Sequence, residues 1–456
     1  MNPDQNARKS AATDGKIDRD SGGRGSINND GVILPPAEAL VAAESGGATP
    51  ASPGAGFIER GTPAFWRTLL ALFAAGFATF ALLYCVQPLM PVFAKDFGLG
   101  AAASSLVLSA STITLACGLV FTGPLSDAIG RKPVMLTALF GAAFSMLATA
   151  LMPTWHGVIA TRVLTGLFLS GLVAVAMTYL SEEIQPKVLG LAMGLYIAGN
   201  AIGGMSGRLL TGVIVDFVSW RVALGIMGVL ATLAALAFHK LAPPSRHFCA
   251  TPLNVRALAA NFRLHLADAA LPWLFAEGFL LMGGFVTFFN YITYRLLGAP
   301  YNLSQALVGF VSAVYLTGIY SSTRVGALAD KLGRRRVFRA VIAAMLAGVL
   351  ITLAEPLWLV LAGMLVFTFG FFGAHSVASS WIGRRALRAR GQASSLYLIL
   401  YYTGSSVAGT GGGFFWHHAG WAGVGLFIAG LLAVALLIAL RLAKVPPLAP
   451  PAAAKT

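Results

Sequence analysis

The chain has 456 residues, of which 57% are hydrophobic and only 11% charged, and its formal net charge is +15. A soluble domain carries about 25% charged residues, so most of this surface must face lipid, and an ordinary soluble enzyme is excluded. Lys and Arg outnumber Asp and Glu 32 to 17, but the bases sit at the ends of apolar runs and form no single patch, so nucleic acid is not an expected partner.

Residues 1–62 are rich in Gly, Ser, Ala, Asp and Asn and show no helical apolar period. They read as a disordered cytoplasmic tail, and they lack the compact apolar core of a signal peptide. Apolar runs long enough to span a bilayer then recur at 66–89, 104–125, 134–153, 156–179, 189–213 and 220–239. A polar stretch, 241–268, separates them from a second series at 271–294, 303–324, 337–354, 356–382, 392–414 and 420–441. The expected fold is an all-α membrane protein of about twelve transmembrane helices in two pseudo-symmetric six-helix bundles. The bundles take 63–240 and 269–442, the stretch between them is a cytoplasmic linker, and 443–456 is a Pro/Ala-rich cytoplasmic tail.

Basic residues cluster after spans two, six, eight and ten, while the opposite connections hold little beyond Lys95, Arg221 and Arg295. This positive-inside bias places both termini in the cytoplasm of a multi-pass protein. Cys85 and Cys117 fall within spans and Cys249 in the linker, a spacing that makes neither a disulfide framework nor a metal site.

Two short charged stretches follow spans two and eight. "GPLSDAIGRKP" starts at Gly123 and contains Asp127, Gly130, Arg131 and Lys132. "GALADKLGRRR" starts at Gly326 and contains Asp330, Gly333 and Arg334, at an offset of 203 residues. Span five reads "AGNAIGGMSG", with Gly199, Gly203, Gly204 and Gly207; span eleven reads "TGSSVAGTGG", with Gly404, Ala408 and Gly412 at an offset of 205 from Gly199, Gly203 and Gly207. Small residues four apart share one helix face and let helices approach closely. The repeat indicates two homologous halves, the architecture of carriers that rock one half against the other.

These motifs carry a family resemblance. "GPLSDAIGRKP" resembles the loop two–three motif of the major facilitator superfamily, and "GALADKLGRRR" resembles its degenerate second copy. "TRVLTGLFLSG", from Thr161, is similar to the helix-four motif with its embedded arginine, here Arg162. "GLYIAGNAIGG", from Gly194, resembles the helix-five glycine motif of drug:proton antiporters, departing at Asn200 where that motif has Pro. Span seven resembles the bacterial exporters called arabinose-efflux-permease-like. The likeness covers roughly 65–442.

In the fold this resemblance implies, span two neighbours span eleven. Asp127 is then expected to dock on the positive dipole end of span eleven near Gln392, held by Arg131 and the turn at Gly130, while Asp330 does the same at span five. Each half latches onto the other. The span four–five loop carries Glu182 and Glu183, and the equivalent loop carries Arg384 and Arg385. These four make a candidate cytoplasmic gate of opposite charges; two independent solvated loops are the alternative.

Ionised groups inside the bilayer cost about 2.5–3.5 kcal/mol or more each. Arg162 and Arg208 are candidates to line a substrate cavity, or to bond helix carbonyls. Asn290, Tyr291 and His375 are further cavity candidates. Glu277 is the one acid placed within a span, and it reads either as a proton carrier or as a permanent structural bond. The expected function is proton-coupled export of a small organic molecule by alternating access, in the bacterial inner membrane, by a functional monomer whose partners are that molecule, protons and the lipid bilayer. A proton-coupled importer or facilitator is the alternative. An enzyme or receptor is a further one, against which stand the absence of clustered nucleophiles and the low-complexity tail. No Walker phosphate loop occurs, so no cofactor is expected.

Overall fold

The computed structural model describes residues 56–251 and 254–446. Most of the stretch read as an N-terminal tail, and the last ten residues, lie outside the described residues. The first half comprises α1 (Pro63–Tyr84), α2 (Met90–Phe97), α3 (Ala101–Ile129), α4 (Arg131–Leu151), α5 (Trp155–Glu183), α6 (Pro186–Val215) and α7 (Trp220–Leu241). After a short α8 (Val255–Leu266) come α9 (Leu271–Leu297), α10 (Gln305–Val311), α11 (Tyr315–Leu332), α12 (Arg334–Ile351), α13 (Leu357–Arg385) and α14 (Arg390–Leu442).

Among the described residues, ten helical segments are long and apolar enough to cross a membrane. One of them, α14, is broken by non-helical backbone at Ala419 and Gly420, so it counts as two spans. Gly420 has φ +53°, a conformation glycine enters without the steric penalty of a side chain. α12 is less apolar than the others because Arg334, Arg335, Arg336 and Arg339 crowd its first two turns. Together these make twelve spans.

Three departures from the sequence expectation go beyond a few residues at a helix end. The first run, 66–89, breaks at Tyr84, because Gln87 and Pro88 interrupt the helix before α2 starts. The eighth begins as α10, passes a 3-10 turn at Ser312–Val314 and continues eight residues past the expected end, to Leu332. The linker contains a 12-residue helix, α8, whose Asn254 side chain caps the Ala257 N–H at 3.0 Å.

Small residues set the helix spacing. A Cβ on Gly199, Gly203 or Gly207 would run into the α1 backbone at Phe73, Phe77 and Ala81 respectively. In the second half, Gly404 packs in the same way on the backbone of Phe279 in α9. The equivalent contacts are therefore Gly203 on Phe77 and Gly404 on Phe279, so the repeat register here is 201, one helical turn from the offset of 205 that spacing alone suggested. Gly76 on Tyr196 and Gly278 on Tyr397 repeat the same correspondence. Gly204 departs from its expected packing role: its open side faces Arg208 and Tyr84.

The termini of the described chain, α8 and the arginine clusters lie at one end of the bundle, here called the arginine-rich face. Ile58 pairs with Ile184, Arg67 donates to the Lys240 carbonyl, and Arg335 donates to the carbonyls of Ala443 and Val445. The two halves meet towards the far end. There Ser109 and Thr112 of α3 hydrogen-bond Ser406 of α14, Asp216 accepts the N–H groups of Gln305 and Ala306, and Gly212 abuts Gly309.

Candidate functional site

The two charged motifs build matching triads. Both motif acids sit in the last turn of a helix, because α3 and α11 run further than expected, and each helix stops at a glycine with positive φ, +106° at Gly130 and +89° at Gly333. In the first triad Arg131 is the centre. It pairs with Asp127, bonds Ser126 Oγ at 2.7 Å, and holds Glu182 with two bonds of 2.7 and 3.0 Å. In the second triad Asp330 is the centre, bound by Arg334 at 3.0 Å and Arg384 at 3.1 Å. Glu182 and Arg384 occupy equivalent positions, 202 residues apart, with opposite charge. Lys132 caps the end of α7 at the Ala242 carbonyl. Gly123 and Gly326 open their motifs with no close neighbour in the way of a side chain, apart from Ser376 Oγ 3.6 Å from a Cβ on Gly326.

Two sequence expectations are corrected here. Asp127 engages Arg131 and stays 47% exposed; it does not dock on the start of α14. The gate residues do not pair across the halves either. Glu182 bonds Arg131, Glu183 is buried and accepts the N–H groups of Arg246 and His247, Arg384 bonds Asp330, and Arg385 bonds Asp268 at 2.9 Å. The reason is geometric: the halves are joined towards the far end, and these charges close within their own surroundings.

The buried arginines part company. Arg162 is fully buried and gives three hydrogen bonds to carbonyls, Leu82 and Leu83 at 3.0 Å and Val107 at 2.9 Å. Leu82 and Leu83 lie in the last turn of α1, so a cation there satisfies orphan carbonyls and complements the helix dipole. This is a structural clamp, not the cavity lining considered from sequence. Arg208 is 4% exposed and differently placed. Its Nε donates to Gln87 Oε1 at 2.5 Å and its Nη1 to the Gly204 carbonyl at 2.6 Å, while Nη2 has no acceptor. Tyr84 and Tyr315, one from each half, flank the guanidinium with ring centres 4.3 and 4.6 Å from Cζ.

Gln87 is a residue that sequence reasoning missed. It donates to Asn290 Oδ1 at 2.7 Å, which links the two halves. A polar residue before Pro88 inside an apolar run was the available signal. Tyr291 is corrected from cavity lining to packing: its hydroxyl bonds the Gly409 carbonyl at 2.9 Å and its ring lies against Gly412. His375 bonds the Tyr397 hydroxyl at 2.8 Å and stacks near Tyr401, with ring centres 4.9 Å apart. From Tyr315 through Phe372 and Phe371 to Tyr401 and His375, ring contacts run without interruption. Glu277, on α9 next to the Gly278–Tyr397 contact, is 0% exposed, and neither of its carboxyl oxygens has a partner.

Twelve membrane-crossing helices in two repeated sets, with buried polar groups where the sets meet, define a multi-pass membrane transporter. The chain belongs to the Major Facilitator Superfamily, whose family model matches residues 68–318 and 278–456. It is 60% identical over 386 residues to the inner membrane transport protein YnfM of Escherichia coli strain K12, covering 85% of this chain and 93% of that one. It is 46% identical over 388 residues to the uncharacterized MFS-type transporter YybF of Bacillus subtilis strain 168, covering 85% and 96%. The crystal structure of a bacterial homolog of the human lysosomal transporter Spinster, inward-facing and occupied, superposes with TM-score 0.69 at 13% identity, over 84% of this chain and 96% of that one.

Proposed function

We propose that the chain is a proton-coupled exporter of a small organic molecule, working by alternating access in the bacterial inner membrane with both termini cytoplasmic. The observation that carries the coupling is Glu277, a fully buried carboxyl with two partnerless oxygens. An unpaired carboxylate in an apolar wall is costly. Such a group holds its proton while sealed and releases it when a solvated route reaches it, as an exchanger requires. The meeting of the halves towards the far end supports a conformation open at the arginine-rich face, in which each triad is closed within its own half; closure of that face would bring the two triads towards each other. The likeness of the helix-five glycines to those of drug:proton antiporters supports export, although Asn200, standing where that motif has Pro, weakens the tie to drug exporters.

The test is reconstitution in liposomes against a chemical library, with and without a pH gradient. Glu277→Gln mimics the protonated form; it should abolish uphill, pH-driven transport and spare counterflow exchange. Full pH-driven accumulation by that variant would exclude Glu277 as the carrier.

A further inference from the structure

We infer that Arg208 and Tyr315 form the binding point for the anionic group of the substrate, and that the substrate class is a small aromatic organic anion. The inference deepens the reading of the chain as a carrier of small organic molecules and rests on it.

The argument starts from unmet hydrogen-bonding capacity. A guanidinium presents five N–H donors and accepts nothing. Arg162 shows what a purely structural buried arginine looks like in this protein, with Nε, Nη1 and Nη2 each directed at a carbonyl. On Arg208 only Nε and Nη1 are satisfied, and Nη2 is buried with no acceptor. Among the described residues, none of the ion pairs includes Arg208. Burying an uncompensated cation is expensive, and the Tyr84 and Tyr315 faces offset part of that cost through their quadrupoles. The ring faces supply no acceptor for Nη2.

A second group at the same place is also unmet. The Tyr315 hydroxyl is close enough to interact with the Arg208 guanidinium, but the contact falls short of hydrogen-bond geometry, and no other group bonds the hydroxyl. An arginine N–H that can only donate, next to a hydroxyl free to donate, calls for an acceptor, and the arginine charge favours a negative one. A cavity of about 20 Å³ adjoins the site, bordered by Gln87, Arg208, Phe289 and Ser312. That is room for one small polar group, so a whole substrate enters only as the halves separate. Arg208 and Tyr315 come from opposite halves, and an anion joining them would bind differently in each state of the carrier, as a transported ligand must.

The body of the substrate is read from the neighbouring wall. The belt from Tyr315 through Phe372 and Phe371 to Tyr401 and His375 packs ring against ring here, and it meets a substrate only as the halves separate. A planar aromatic ring fits such a wall by stacking or edge-to-face contact.

Binding is measured on the full chain in nanodiscs by calorimetry, with no gradient and no transport. The probes are 4-hydroxybenzoate, phenylacetate and benzenesulfonate, each beside its neutral amide. In the wild type at least one anion should bind roughly tenfold to a hundredfold more tightly than its amide, the range expected for hydrogen bonds to a charged group. Arg208→Gln should erase the preference, and Arg208→Lys should keep part of it. Tyr315→Phe retains the ring and should weaken anion binding alone, so it decides the matter if Arg208→Gln does not fold. Equal affinities for anion and amide in the wild type, no binding of any anion, or a preference that survives both Arg208→Gln and Tyr315→Phe would overturn the inference. Because no coupling is involved, these failures leave the Glu277 experiment standing, and failure of that experiment leaves this one standing.

Discussion

Gly203→Ala tests the packing of α6 on α1 in a way that removes most confounding terms. The added Cβ would meet the Phe77 carbonyl oxygen and lie 2.6 Å from Phe77 Cα and 2.7 Å from its carbonyl carbon. Carbon atoms prefer separations of about 3.5–4.0 Å, so the helices must part by about 1 Å. The obstruction is backbone, and no side-chain rotation relieves it. Overpacking typically costs about 1–3 kcal/mol, and a rigid clash of this depth belongs at the upper end. Alanine also favours helix over glycine by about 1 kcal/mol, which leaves a net loss of about 2 kcal/mol. Gly194 on the same helix is the control, since a Cβ there meets nothing within 4 Å. Gly194→Ala gains the same helix preference without the clash. The gap between the two variants is then the packing term itself, about 3 kcal/mol. Thermal midpoints by fluorescence-detected size exclusion in one detergent would measure the order. Equal midpoints for the two variants would refute the close-packing account.

Four other outcomes follow from the geometry. Asp127→Asn should stay folded, because Arg131 keeps Glu182 and Ser126, yet should slow transport; a well-inserted variant with wild-type rates would show that the first triad plays no part in switching. Asp330→Asn leaves Arg334 and Arg384 facing each other without a counter-charge, so its midpoint should fall further than that of Asp127→Asn at low salt, and the difference should vanish at high salt. Arg162→Met strands the two helix-end carbonyls of Leu82 and Leu83, at about 1–3 kcal/mol each, and should reduce the folded yield severely; an unchanged yield would deny the clamp. Burial pushes the Asp268 carboxyl up, but Arg385 and the N–H groups of Ala270 and Leu271 outweigh it and hold it below the usual carboxylate range. Its contribution is therefore present above about pH 4 and lost as pH falls through the lowered value. The midpoint difference between wild type and Asp268→Asn should be flat from neutral pH down to about pH 5 and shrink in acid.

The twelve spans and their duplication were legible because lipid demands long apolar runs and because the Asp–Gly–Arg spacing recurs. The register of spans five and eleven was not. Glycines and alanines spaced by four look the same after a slip of one turn, and only the Phe77 and Phe279 contacts choose between registers. Arg208 was legible as an intramembrane charge, but the sequence could not separate it from Arg162; that distinction lies in which donors find carbonyls. Tyr84, Tyr315 and Tyr401 were hidden among many aromatic residues, since nothing in a residue's identity says which face of a helix looks inward. Glu182 and Arg384 were recognised as an opposite pair, and their real partners, Arg131 and Asp330, were present in the motifs all along.

The two triads differ in net charge. Asp127, Arg131 and Glu182 sum to −1, whereas Asp330, Arg334 and Arg384 sum to +1. A two-fold dimer of identical six-span subunits could never have this arrangement, because its axis would copy the same sign to both sides and the copies would repel on approach. Fusion of a duplicated gene lifts that restriction. Once both halves share one chain, each can drift independently, and a single exchange of acid for base at one position turns a repelling pair of surfaces into complementary ones. The ancestral symmetry survives in the backbone, while the electrostatics have already left it behind.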